Sequence, residues 1–99
     1  MSVTITHVPD EQCYEARVDG ERAGFLAYRR TDGLVILTET QVDAAHEGRG
    51  IGGTLARAAL DDARGQHLRV RTQCPFVQRW IERHPDYADL LAGAPPVEG

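Results

Sequence analysis

The chain has 99 residues, a formal charge of −4 and 41% hydrophobic residues, the profile of one small acidic domain rather than several. With 15 acidic against 11 basic residues, it lacks the concentrated basic face that nucleic-acid binding demands. The longest purely apolar run, Leu34-Val35-Ile36-Leu37, falls far short of the roughly 20 residues of a membrane span.

Val3, Ile5 and His7 alternate with Thr4, Thr6 and Val8 up to Pro9-Asp10, which predicts a first strand. The opening residues form neither a basic nor an apolar leader, so no signal peptide is expected. Residues 12–18 alternate again, with Cys13, Glu15 and Arg17 on one face and Tyr14, Ala16 and Val18 on the other. Asp19-Gly20 marks a hairpin, because both positions tolerate the positive φ of a tight turn. A third strand is expected over 23–30, turned by Thr31-Asp32-Gly33. The fourth, Leu34 to Val42, opens with four residues apolar in both parities, which predicts a strand covered on both faces.

From residue 50 the period changes. A helix over 50–64 places Ile51, Leu55, Ala58, Ala59 and Ala63 on one side, with Thr54, Arg57, Asp61 and Arg64 opposite. Asp62 falls inside the apolar arc with no local reason to be there. Gly65 is expected to close the helix in the left-handed conformation. His67 to Gln73 reads as a fifth strand with Leu68 and Val70 as its apolar face. Pro75 suits the first turn of a second helix, where its missing N–H costs nothing. Phe76, Val77, Trp80 and Ile81 stripe that helix, and His84-Pro85 ends it. Asp86 to Leu91 makes one further turn, and 92–99 reads as a flexible tail. The expected fold is therefore α+β, a mostly antiparallel sheet flanked by two main helices in the order β-β-β-β-α-β-α, as one domain over 1–91.

The first chemical signal is Glu47-Gly48-Arg49-Gly50-Ile51-Gly52-Gly53, between the most hydrophobic strand and a clear helix. Glycines at a helix N-terminus leave backbone N–H groups uncovered, and the helix dipole adds to their pull on an anion such as a diphosphate. No Gly-Lys-Ser/Thr follows, which excludes a nucleotide-triphosphate P-loop. The antiparallel strands before the loop do not fit the dinucleotide fingerprint.

Gly48-Arg49-Gly50-Ile51-Gly52 resembles the acetyl-CoA diphosphate loop of the GNAT acetyltransferases, whose pattern is Gln/Arg-x-x-Gly-x-Gly/Ala. Gly50 and Gly52 match its glycines, and Glu47 stands where Gln or Arg is usual. Cys74-Pro75-Phe76-Val77, followed by His84-Pro85-Asp86-Tyr87, resembles the Cys-Pro-Phe box of the minimal single-domain branch of that superfamily. Strand four departs from the branch, with Glu39-Thr40-Gln41-Val42 where His-Thr-Glu-Val is frequent. The resemblance covers roughly residues 3–91. It implies acetyl-CoA as co-substrate, an amine acceptor, and a splay between strands four and five that receives the pantetheine arm. The cofactor-binding residues then expected are Val42, Gly48, Arg49, Gly50, Ile51, Gly52, Gly53, Cys74 and Phe76.

For catalysis, Glu39 is the candidate base, since an alkyl ammonium must lose a proton before it attacks. Backbone N–H groups near Val42 are placed to polarise the thioester carbonyl. Cys74 lies immediately before a Pro-initiated helix, where a thiolate is favoured, and either Cys74 or Tyr87 is a candidate proton donor to the leaving thiolate. Direct transfer is preferred over an acetylated Cys74, because no histidine is visibly paired with that cysteine. The alternative is an acyl-CoA-binding or thiol-reactive module without turnover. Cys13, mid-strand, reads as a packing residue, and two cysteines without a framework predict a reducing, cytoplasmic setting. His7, His46, His67 and His84 lack metal-ligand spacing, so no metal is expected. His46 lies beside the loop, where two places are open to it, facing the phosphates or, more simply, exposed to solvent.

Overall fold

A computed structural model describes residues 2–92. Five strands form one sheet in sequence order: β1 (Val3–Val8), β2 (Cys13–Val18), β3 (Glu21–Thr31), β4 (Leu34–Val42) and β5 (Arg69–Thr72). The first four pair antiparallel, and β5 runs parallel to β4. Helix α1 (Ile51–Gly65) makes the crossover between them, and α2 (Pro75–Arg83) follows β5. Asp19 and Gly20 both take positive φ, 50° and 87°, as the tight hairpin between β2 and β3 requires. No helix among the described residues is long and apolar enough to cross a membrane.

Both helices lie on one face of the sheet. The N-terminal turn of α1 abuts α2, because a Cβ on Gly52 would meet the Phe76 ring and one on Gly53 would meet Trp80. Val35 and Leu37 are buried under this layer, whereas Leu34 and Ile36 remain half-exposed. This corrects the expectation of a strand covered on both faces. Ile36 is flanked in register by Arg29 and Arg71, whose aliphatic stems suit an apolar strand position that has no second helix layer over it. The buried face of α1 is also rotated from the one expected. Ala56 and Leu60 are buried, and Ala58 sits at the edge.

The helix end differs from expectation too. Gly65 is the last residue of α1, and His67 takes the left-handed conformation at φ 58°. Leu68 N–H then reaches back to Ala63 O at 2.9 Å, a Schellman closure in which a histidine holds the usual glycine position. At the C-terminal side, Leu91 bridges Val70 and Ala92 N–H donates to Val70 O at 2.7 Å. Ala92 therefore belongs to the fold rather than to the expected tail, and the remainder of that stretch, 93–99, lies outside the described residues.

Asp62 now has its reason. Its carboxylate accepts from the Tyr14 hydroxyl at 2.5 Å and from the Gln66 amide at 2.9 Å. His7 stacks on Tyr14 and shares a 2.6 Å hydrogen bond with the Tyr28 hydroxyl. Burial, and then the Asp62 hydrogen bond, push the Tyr14 phenol far above its ordinary range. Burial works to raise the Asp62 carboxyl, but hydrogen bonds from Tyr14 and Gln66 and the charges of His7 and Arg30 outweigh it, so the net direction is down. A carboxyl lowered by folding stabilises the protein fully above the unfolded value of about 3.9 and loses that contribution as pH falls through the folded value. Asp62→Asn is therefore expected to cost about 1 kcal/mol at pH 7. In urea titrations the gap from the unsubstituted chain should close as pH drops below about 4, and a gap that widens on acidification would contradict the assignment.

Candidate active site

The site begins where β4 and β5 part. Their pairing stops at Leu37 and Thr72, and Gln73 N–H makes the last bond, to Leu37 O at 2.8 Å. Strand β4 continues through Val42 without a neighbour on that side. Two local causes act together. Thr38 has no partner in the β3 register, which passes from Ala27–Glu39 to Tyr28–Leu37, and such a bulge bends its strand. Pro75 starts α2 just beyond β5 and has no N–H with which to continue the ladder. Asp43 N–H donates to Ala23 O in β3. Ladder alternation then turns the N–H groups of Val42 and Thr40 toward the side β5 has left.

The open edge leads into the glycine loop. Gly48 and Gly50 hold φ of 80° and 74°, a region that costs other residues about 1–2 kcal/mol. Gly50 caps α1 without a side-chain bond, and the first intrahelical bond is Thr54 N–H to Gly50 O at 3.0 Å. The N–H groups of Ile51, Gly52 and Gly53 therefore have no partner within the helix. Val42, His46, Glu47, Gly48, Gly50, Ile51, Gly52, Gly53 and Phe76 line a cavity of about 220 Å³ at this point. Backbone donors at a helix N-terminus, over glycines and beside an open strand edge, suit a diphosphate followed by an extended arm.

Of the nine cofactor residues expected from sequence, seven line this one cavity, and Arg49 and Cys74 do not. Phe76, expected within the apolar stripe of α2, is instead 40% exposed, because its ring lies over Gly52 at the cavity wall. Cys74 is buried at the N-cap of α2. Its thiol lies 3.5 Å from the Thr40 hydroxyl, across the gap between the strands. The backbone N–H of Cys74 donates to Thr72 Oγ1 at 3.1 Å, which fixes the turn that carries it.

Glu39 is exposed on the other face of β4 from Thr40, and its carboxylate accepts a hydrogen bond from the Gln41 amide. Tyr87 is not brought to the loop. Its hydroxyl donates to Asp61 at 2.6 Å and accepts from Arg57 at 3.3 Å, about 15 Å along α1 from Ile51 at 1.5 Å per residue. The hydrogen bond to Asp61, and then burial, raise its phenol from the ordinary value. Two residues here were not singled out from sequence for these positions. Thr40 faces Cys74, and the bulge that aims it there leaves no pattern in the chain. His46, for which solvent exposure was the simpler of two expectations, is only 9% exposed, and its Nδ1 is buried without a hydrogen-bond partner among the described residues.

Residues 13–90 match the family model for GCN5-related N-acetyl-transferases. The chain belongs to the GCN5-related N-acetyltransferase family. With membership goes the reaction class, acetyl-CoA-dependent N-acetyl transfer. Protein NATD1 of Bos taurus is 31% identical over 85 residues, covering 84% of this chain and 75% of its own. A solution structure of a GCN5-like N-acetyltransferase from Staphylococcus aureus superposes with a TM-score of 0.70 at 22% identity, over 93% of this chain and 90% of that one. The PaiA N-acetyltransferase of Thermoplasma acidophilum, solved in complex with coenzyme A, has a TM-score of 0.60 at 16% identity, over 73% of this chain and 48% of that one. These likenesses agree on the GNAT fold, the α+β architecture expected from the residue pattern.

Proposed function

We propose that the chain acetylates a primary amine, a small amine, polyamine or lysine side chain, by direct transfer. The observation that carries this reading is the open edge of β4 running straight into the glycine loop. The backbone N–H groups of Ile51, Gly52 and Gly53 hold the diphosphate, and those of Thr40 and Val42 hold the arm and orient the thioester carbonyl. Acetyl-CoA supplies the activated acyl group. On the sheet face away from the helices, Glu39 takes a proton from the incoming ammonium, directly or through water. Cys74 gives its S–H proton to the departing thiolate, with Thr40 fixing the direction of the thiol. The ammonium gives up two protons on the way to the amide: the first goes to Glu39 and on to water, and the second, lost from nitrogen as the tetrahedral adduct collapses, replaces through water the proton that Cys74 gives to the departing thiolate. Tyr87, bonded to Asp61, ties the last turn to α1. The net charge of −4 favours a cationic acceptor.

The test is thiol release from acetyl-CoA across a panel of polyamines, small primary amines and lysine peptides. Turnover on at least one amine is expected, with Glu39→Gln lowering kcat about 100-fold and leaving coenzyme A affinity unchanged. Coenzyme A binding with no turnover on any amine would replace this reading with that of a binding module.

A further inference from the structure

His46 is a buried side chain beside the loop that the mechanism above does not use. It ends the short turn Ala44–His46 and lines the same cavity as Gly48, Gly50, Gly52 and Gly53. We infer that His46 is a ligand-contacting residue that donates from Nε2–H to the diphosphate of the co-substrate. This rests on the loop being the diphosphate site.

The tautomer follows from burial. Nδ1 is shut away from solvent and has no partner among the described residues. A proton there would leave a buried donor unpaired, at a cost of about 1–3 kcal/mol. Placed on Nε2 instead, the proton leaves only a lone pair unsatisfied, the commoner and cheaper deficit. With Nδ1 turned inward, the distal nitrogen is the one left to meet the cavity, and it meets it as a donor. The neighbouring residue makes such a donor useful. Glu47 also lines the cavity, and an ionised carboxylate only accepts hydrogen bonds and repels an anion. The donor side chain that Gln or Arg would bring at position 47 is absent, and His46, one residue earlier, takes its place.

Calorimetric titration with coenzyme A of the full chain, His46→Phe and His46→Gln tests this. His46→Phe keeps the ring volume and is expected to bind about tenfold more weakly, with an unchanged melting temperature. His46→Gln, which keeps an N–H donor, should stay within about threefold of the original. Imidazole ¹⁵N spectra should show Nε2 protonated and its resonance shifting as coenzyme A is added. Equal affinity of His46→Phe and the unsubstituted chain, or an Nδ1–H tautomer in the bound protein, would overturn the inference while leaving the loop assignment standing. Failure of the unsubstituted chain to bind coenzyme A at all would remove both. If His46→Phe does not fold, the spectra and His46→Gln decide.

Discussion

Gly50→Asp is expected to weaken coenzyme A binding about 100-fold while leaving the chain folded, because the substitution places a carboxylate where the loop receives a diphosphate. Gly50 has φ 74° and nothing within 4 Å of where its Cβ would stand, so the new side chain meets open space rather than a packed neighbour. Aspartate is among the residues that adopt the left-handed region most readily, and the backbone cost is about 1 kcal/mol. Gly50→Asn carries the same shape and the same strain without the charge. It should lose only about tenfold, so the difference between the two variants isolates electrostatics from geometry. Calorimetry gives the affinities, and thermal melts confirm that both variants fold. Equal affinity for Gly50→Asp and the unsubstituted chain would remove the loop from the cofactor site.

The sequence was informative wherever one residue type has one cheap explanation. Alternation pointed to the strands, Asp19-Gly20 to the hairpin, and glycines before an Ala/Leu-rich run to the loop that opens α1. Seven of the nine proposed cofactor residues converge on one cavity; five of them, Gly48, Gly50, Ile51, Gly52 and Gly53, are loop neighbours that need no tertiary information to be placed together. Failure came where a contact spans the sheet. Asp62 looked misplaced on an apolar arc because Tyr14, 48 residues away, is invisible to a helical wheel. Thr40 could not be matched with Cys74 because the bulge at Thr38 sets which way Thr40 faces. For His46 the residue pattern could not decide between solvent and the loop, because a short turn between a strand and a loop has no periodicity to reveal its inner side. Phe76 carries two expectations, a place in the apolar stripe of α2 and a place at the cofactor loop, and it lines the loop cavity. Its spacing fits the core stripe of α2, yet its ring covers Gly52, a position that only a residue without a Cβ leaves free.

Cys74→Ala is expected to lower kcat about 100-fold, the usual scale for losing a positioned proton donor, with coenzyme A affinity unchanged. The structure gives the thiol one hydrogen-bond partner, Thr40, and a threonine hydroxyl does not act as a base. A covalent route needs a thiolate, and the hydrogen-bond partner of the buried thiol among the described residues is a neutral hydroxyl. In the direct route the same thiol donates its S–H to the departing thiolate, from the place where Thr40 holds it across the gap between the strands. Two readouts separate these routes. Direct transfer predicts no acetyl group on Cys74 after incubation with acetyl-CoA alone, as seen by peptide mass spectrometry. It also predicts residual turnover in Cys74→Ala, because water entering the gap left by the sulfur supplies a proton less well. An acetylated Cys74 that passes its acetyl group to added amine, together with complete loss of turnover in Cys74→Ala, would establish the covalent route instead. In that case Thr40 would be holding the nucleophile rather than the acid.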